Sequence, residues 1–197
     1  IVGDFNQWRV ESQYDLARKE HGVWEVFLPK HALSHGHHYK LVVFWMENGC
    51  EVSGERIPSF CRRVVQDENT KLFSAQVWAP EKAYEWRNPN YRVARRAPLI
   101  YEAHVGMAQE EPGVGSYKEF TREVLPRIHK GGYNTIQLMA VQEHPYYGSF
   151  GYQVSNFFAP SSRFGSPEDL KELIDTAHSL DIAVIMDLVH SHAVKNE

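Results

Sequence analysis

The sequence contains few of the features that mark disulfide-rich or membrane proteins. Only two of its 197 residues are cysteines, Cys50 and Cys61, so a fold held by several disulfides is excluded and free thiols of a reducing compartment are expected. No apolar run approaches the roughly 20 residues that cross a bilayer. No signal peptide is recognisable at Ile1. We therefore expect a soluble, cytoplasmic protein.

The sequence also lacks an excess of positive charge. Its 21 basic and 25 acidic residues give a formal net charge of −4. Nucleic acids and anionic membranes attract proteins mainly through clustered Lys and Arg. We therefore predict no nucleic acid and no membrane among the partners of this protein.

What the sequence does contain is a hydrophobic fraction of 43% and an aromatic fraction of 13%. This hydrophobic fraction is sufficient for a core. Aromatic rings can also bind the flat apolar faces of sugar rings. The first residues, IVGDFNQW, resemble the middle of a strand, so we expect the chain to be part of something longer.

Residues 1–80 have the pattern of a β domain. Short apolar stretches at residues 23–28, 39–45, 62–65 and 72–78 are separated by turn residues, among them Asn48 and Gly49, which predicts a small β-sandwich. Two tryptophans in this region, Trp8 and Trp24, either stack on a carbohydrate or fill the core. Residues 81–98 contain two prolines and four arginines without periodicity, which indicates a linker that packs on a domain through Tyr84 and Trp86.

Residues 99–197 alternate between strand and helix patterns. Strands are predicted at residues 99–105, 134–141 and 182–186, with helices at 116–130 and after Ser166, which has the features of an N-cap. Parallel strands joined by helices fit the first three βα units of a (β/α)₈ barrel, although a doubly wound sheet has the same local pattern. A complete barrel needs about 250 residues, so the barrel predicted here is incomplete.

Polar residues are concentrated where the last strand ends, in IAVIMDLVHSH at residues 182–192. Side chains at the carboxyl ends of parallel strands converge on ligands, so Asp187, His190 and His192 are predicted site residues. The alternatives are a polar loop without function, or a metal site on His190 and His192. No further metal ligand is evident, so no metal is predicted. The long connection after the second strand predicts a functional loop, in which His144 lines the cleft with Glu143.

Several motifs resemble one family. GDFNQW at residues 3–8, HGHHYKL at 35–41 and RIPSFCRRVVQD at 56–67 are similar to the family 48 carbohydrate-binding module of glycogen branching enzymes. IYEAHVG at 100–106, QLMAVQEHPYYGSFGYQ at 137–153 and MDLVHSHA at 186–193 are similar to the first three βα units of their catalytic barrel, in glycoside hydrolase family 13. Ser191 stands where the wider amylase clan has Asn, as in branching enzymes of the eukaryotic type.

The resemblance implies a retaining transferase that cleaves α-1,4 links and forms α-1,6 branches. Its substrates would be glycogen, amylose or amylopectin, and it would need no organic cofactor. The nucleophile and general acid of the family would follow residue 197. By the same resemblance, Tyr152 would stack on the donor glucose, Asp187 would brace the site and His192 would contact the 6-hydroxyl. A noncatalytic α-glucan-binding protein and a metal-dependent barrel hydrolase are the alternatives.

Overall fold

A computed structural model describes residues 1–194 of the protein. The chain divides into two compact units, residues 1–81 and residues 82–194. In the described part of the chain, no helix is long and apolar enough to cross a membrane.

The regular structure of the first unit consists of seven antiparallel strands and three short 3-10 helices. The strands are β1 (Val2–Gly3), β2 (Ala17–Arg18), β3 (Trp24–Glu25), β4 (His38–Glu47), β5 (Cys50–Arg56), β6 (Val64–Gln66) and β7 (Phe73–Gln76). Five of them form one sheet in the order β1-β4-β7-β6, with β5 paired to β4. The remaining two, β2 and β3, form a separate ribbon with exposed side chains.

The β4–β5 hairpin turns at Asn48 and Gly49. Both residues have positive φ angles, 51° and 82°, which a two-residue hairpin turn of the right twist requires and which Asn and Gly adopt most readily. The sequence predicted this turn but not β5, because CEVSGER contains charges and a glycine instead of an apolar pattern. The predicted strand at 39–45 lies within β4, and the predicted strand at 72–78 contains β7. Within residues 1–81, the strands pair only into this five-stranded sheet and the separate β2–β3 ribbon.

The second unit contains β8 (Ile100–Ala103), α1 (Tyr117–Glu119), α2 (Leu125–Lys130), β9 (Thr135–Leu138), β10 (Gln142–Glu143), β11 (Asn156–Pro160), α3 (Pro167–Ser179) and β12 (Ala183–Met186). Three of its strands are parallel, in the order β12-β9-β8, as the sequence predicts. The pair β10–β11 is antiparallel and lies within the long connection between β9 and α3.

Both helical segments begin at a serine cap. Ser116 and Ser166 accept a hydrogen bond from the third helical residue, whose carboxylate accepts one in return, so each forms a capping box. The predicted cap at Ser166 is therefore confirmed. A π-helical stretch, Phe120–Val124, separates α1 from α2 within the predicted helix 116–130, and Pro126 lies in the first turn of α2. The core lies between the helices and the three-stranded sheet and includes the buried residues Phe120, Leu125, Ile136, Leu138, Leu173 and Ile182.

The segment predicted as a linker packs on α3. Asp175 is fully buried, and its carboxylate accepts hydrogen bonds from the hydroxyl of Tyr84 at 3.0 Å, the backbone N–H of Arg87 at 2.8 Å and that of Asn88 at 2.9 Å. Burial alone would raise the pKa of Asp175, but these hydrogen bonds hold it well below its usual range. Residues 82–98 thus belong to the second unit, while the linker and the domain boundary at residue 80 remain sequence predictions.

Candidate functional site

Three polar side chains meet at the carboxyl ends of the parallel strands. Glu102 of β8 and Gln137 of β9 are register partners, and Asp187 lies two residues beyond Ile185, which is the partner of Gln137 on β12. Alternate residues of a strand share a face, so all three side chains point to the same side of the sheet. The amide nitrogen of Gln137 donates hydrogen bonds to Asp187 Oδ1 at 2.9 Å and to Glu102 Oε1 at 3.4 Å.

Tyr152 joins this cluster from the long connection. Its hydroxyl donates a hydrogen bond to Asp187 Oδ2 at 3.5 Å. Burial raises the pKa of Tyr152, and the negative charges of Asp187 and Glu102 raise it further. The phenol is therefore held in its neutral form, with the ring partly open to solvent.

The backbone before Tyr152 requires a glycine. Gly151 has a φ of 86°, and a Cβ at this position would lie 2.0 Å from the carbonyl oxygen of Ala140. No other residue fits this close approach. The turn before it, Tyr147–Ser149, is followed by Phe150 in the left-handed conformation, so two consecutive positive φ angles direct the chain into Tyr152.

Asp187 is fixed by backbone contacts on both sides. Its N–H donates to the carbonyl of Leu138 at 3.0 Å, which extends the strand pairing by one residue. Two residues later, the N–H of Val189 donates to the side-chain oxygen of Gln142 at 3.2 Å. The carboxylate is thus presented from ordered backbone, which is favourable for positioning a ligand.

The two histidines after Asp187 occupy separate positions. The ring of His190 stacks on Phe157, with centroids 5.8 Å apart and planes at 13°. His192 is exposed in the following turn. The structure therefore brings Tyr152 and Asp187 together and places His190 on the β11 side. No group of three His, Cys, Asp or Glu side chains within residues 1–194 is arranged to hold a metal ion.

His144 lies in the packed interior and not on an open surface. Its side chain is 0% exposed, its Nδ1 is 2.9 Å from the carbonyl oxygen of Gln142, and its Nε2 has no hydrogen-bond partner among the described residues. The prediction that His144 contacts substrate is therefore corrected to a packing position. Glu143 is also buried and accepts a hydrogen bond from the N–H of Ser162 at 2.7 Å, and burial raises its pKa.

A second buried histidine, His104, was not predicted from the sequence. It follows β8 directly, and its ring contacts Tyr147, Phe150 and Phe164 edge-on at centroid distances of 6.0, 5.8 and 5.5 Å. Burial lowers its pKa, and so does the nearby His144. Two neutral imidazoles therefore lie in the packing around the connection that carries Tyr152.

In the first unit, Trp8 and Trp24 are exposed. Trp8 is 41% exposed and its indole N–H donates to Asp4 Oδ1 at 3.1 Å, while Trp24 is 58% exposed. The alternative that these rings fill a core is therefore wrong, and both are accessible to a ligand.

Sequence reasoning missed Glu102, Gln137 and Phe157. The first two lie inside apolar strand stretches, and only the register across three strands shows that they face Asp187. Alternate residues of one strand share a face, so the sequence shows which residues of the last strand lie on the same side as Asp187. It does not show how the neighbouring strands are aligned with that strand, and therefore does not place Glu102 and Gln137 beside Asp187.

Comparison with known proteins identifies both parts of the chain. Residues 1–54 match the model of carbohydrate-binding module 48 (isoamylase N-terminal domain), and residues 110–197 match the catalytic domain of α-amylase. Over its whole length the chain is 50% identical to the 1,4-alpha-glucan-branching enzyme of Yarrowia lipolytica. Over its whole length, the chain is therefore similar to a segment of a 1,4-alpha-glucan-branching enzyme.

Other branching enzymes are similarly close. Those of Emericella nidulans and Dictyostelium discoideum are 47% and 45% identical over the whole chain. The chain spans 29% of the length of each of these three relatives.

Solved structures agree on the fold. A GBS pullulanase, SAP, in complex with maltotetraose has a TM-score of 0.65 at 20% identity over 88% of this chain and 27% of its own. The catalytic module of SpuA, described as a glycogen-degrading pneumococcal virulence factor, has a TM-score of 0.63 at 17% identity over 88% and 31%.

Proposed function

We propose that this chain supplies the donor-glucose subsite of a 1,4-α-glucan-branching enzyme. The complete protein would cleave an α-1,4 link and transfer the freed chain to a 6-hydroxyl, producing an α-1,6 branch in glycogen, amylose or amylopectin. The observation that carries this proposal is the contact between Tyr152 and Asp187 at the strand ends, in a chain with branching-enzyme relatives.

The residues of this chain act on the sugar without forming a bond to it. Retaining transfer needs two carboxyl groups about 5 Å apart, one as nucleophile and one as acid and base. The family resemblance assigns these groups to sequence after residue 197. Tyr152 stacks under the donor ring, Asp187 braces the site and His192 contacts the 6-hydroxyl, so all three orient the donor for attack.

The three parallel strands are then the first three of a (β/α)₈ barrel. Their parallel order and the cluster at their carboxyl ends support this, because active sites of such barrels lie at that end. Trp8 and Trp24 are proposed glucan contacts of the carbohydrate-binding module, supported by their exposure. A cytoplasmic location is also proposed, supported by the low cysteine content of the sequence, two residues in 197.

The test is product analysis with the natural protein that contains this sequence. Amylose is incubated with the wild type and with Tyr152→Ala, and new α-1,6 links are counted by proton NMR of the anomeric region. The proposal predicts α-1,6 signals with the wild type and a strong reduction with the variant. Binding of amylose without any new α-1,6 signal would instead identify a noncatalytic glucan-binding protein.

A further inference from the structure

Two of the parallel strands each contribute one polar side chain to the face that carries Asp187. Glu102 is the third residue of β8 and Gln137 the third of β9, and the two are register partners. On the opposite face of β9, Ile136 and Leu138 are fully buried in the core, whereas Gln137 is only half-buried. Core packing therefore does not account for Glu102 and Gln137, and the explanation lies in their polar contacts.

The side-chain amide of Gln137 connects two carboxylates. Its nitrogen, Nε2, donates to Asp187 Oδ1 at 2.9 Å and to Glu102 Oε1 at 3.4 Å. An NH₂ group carries two hydrogens, so each carboxylate receives one of them. The bond to Asp187 has the length of a strong hydrogen bond to a charged group, whereas the bond to Glu102 is long and weak. Glu102, Gln137 and Asp187 thus form a chain of contacts across three strands.

This chain of contacts fixes the orientation of the amide. A glutamine amide that turns over about its last bond exchanges its NH₂ group for its carbonyl oxygen. Ionised carboxylates only accept hydrogen bonds, so a turned amide would place its oxygen against an oxygen of Asp187 and an oxygen of Glu102 without a hydrogen between them. Because carboxylates lie on both sides of Gln137, its NH₂ group stays directed at Asp187.

Asp187 is therefore held from one side and open on the other. Gln137 occupies Oδ1, while Oδ2 faces the hydroxyl of Tyr152 at 3.5 Å. We infer that Gln137 and Glu102 are positioning residues of the transfer reaction: Gln137 fixes the carboxylate of Asp187, and Glu102 fixes the amide of Gln137. Both act on the donor glucose through Asp187, so this inference rests on the proposed donor-glucose subsite.

A positioning role determines which kinetic constant changes. A carboxylate that is slightly misplaced loses interactions with the transition state, and this loss lowers kcat. KM stays nearly constant, because Gln137 and Glu102 do not themselves contact the substrate. A role in folding alone would instead lower the melting temperature and leave kcat of the folded protein unchanged.

The experiment measures chain transfer on amylose by the natural protein and its variants. Gln137→Met keeps the side-chain length and removes both donors, so kcat should fall about tenfold, the loss of one hydrogen bond to a charged group, with KM within about twofold of wild type. Glu102→Ala should lower kcat about threefold, because the bond that it removes is long. The double variant should be no slower than Gln137→Met alone, because both changes act through the same amide.

The matched control is Gln66→Met, in β6 of the first unit. The amide of Gln66 is also half-buried in a strand and donates to the backbone oxygen of Lys71 at 2.8 Å, so the control removes a comparable group and should keep the wild-type kcat. Wild-type kcat in Gln137→Met would overturn the positioning role. Losses in Gln137→Met and Glu102→Ala that multiply in the double variant would also overturn it.

A second comparison applies if Gln137→Met lowers the melting temperature. Glu102→Gln retains an acceptor oxygen for Gln137, so it should keep more of the wild-type kcat than Glu102→Ala does, and equal losses in these two variants would overturn the role. Loss of transfer in Tyr152→Ala together with wild-type kcat in Gln137→Met would overturn the positioning role and leave the donor-glucose subsite intact. The two proposals therefore fail separately.

Discussion

At the scale of single residues, the site depends on how one carboxylate is held. Asp187 receives a hydrogen bond from Gln137 at 2.9 Å and one from Tyr152 at 3.5 Å. The shorter bond fixes the position of the carboxylate, and the longer one contributes little. The contribution of Tyr152 should therefore come from its ring and not from its hydroxyl.

This difference predicts distinct effects for two substitutions at Tyr152. Tyr152→Phe keeps the ring, so kcat/KM for chain transfer should stay within about twofold of wild type. Tyr152→Ala removes the stacking surface and should lower kcat/KM by about tenfold or more. Steady-state transfer assays on amylose measure both. A large loss in Tyr152→Phe would show that the hydroxyl, and not the ring, is the important group.

His192 permits a test that separates function from folding. The side chain is exposed, so His192→Ala should change the free energy of unfolding by no more than about 0.5 kcal/mol. If its imidazole contacts the donor sugar, turnover should fall by about tenfold or more. Denaturant unfolding and transfer rates provide the two readouts. A variant with wild-type branching rates would remove His192 from the subsite.

At the scale of elements, buried polar groups fasten one segment to another. Asp175 connects α3 to residues 84–88 through hydrogen bonds to Tyr84, Arg87 and Asn88. The amide of Asn would offer only one acceptor oxygen and would place an NH₂ group next to backbone N–H donors. The whole connection should therefore weaken when this one carboxylate is changed.

Asp175→Asn is expected to reduce the free energy of unfolding by about 2 to 4 kcal/mol, because several hydrogen bonds to a buried charge are lost together. The matched control is Asp181→Asn, at an exposed carboxylate paired with Arg96, which should cost less than about 1 kcal/mol. Urea denaturation of both variants measures the difference. Equal losses of unfolding free energy in the two variants would show that the burial of Asp175 does not increase its contribution to stability.

The buried histidines predict an acid-sensitive fold. Burial lowers the pKa of His104 and of His144 below the usual value of 6.5. A histidine with a depressed pKa in the folded state is protonated first in the unfolded chain. Stability should therefore be constant above about pH 6.5 and decrease as the pH falls below that value.

A substitution at His104 checks this dependence. His104→Leu keeps an apolar side chain among Tyr147, Phe150 and Phe164 and removes the titrating group, so its loss of stability between pH 7 and pH 5 should be smaller than that of wild type. Melting temperatures across this range measure the slope. Parallel curves of melting temperature against pH for wild type and variant would exclude His104 as the cause of the loss of stability in acid.

At the scale of elements, features that depend on neighbouring residues were predicted correctly from the sequence. Features that depend on contacts between distant strands were not. The cap at Ser166 and the turn at Asn48 and Gly49 depend on residues next to each other, and both were predicted. The strand β5 was missed because its charged residues hide the alternation. Glu102 and Gln137 were missed, and His144 was wrongly assigned to the cleft, because register and burial depend on contacts between distant segments.

At the scale of the whole molecule, the chain combines a unit with an exposed pair of tryptophans and a unit with a polar cluster at the ends of parallel strands. Its relatives are about three times longer, since the chain spans 29% of the Yarrowia lipolytica enzyme. In the proposed function, this chain therefore supplies one part of a larger site: it positions the donor glucose, and other sequence breaks the bond.

The most direct test of that claim is a crystal structure of the natural protein bound to maltoheptaose. We expect a glucose ring stacked on Tyr152, with Asp187 within hydrogen-bond distance of that same sugar or of a residue that contacts it. A glucan ordered in the catalytic cleft with its reacting glucose away from both Tyr152 and Asp187 would contradict the account.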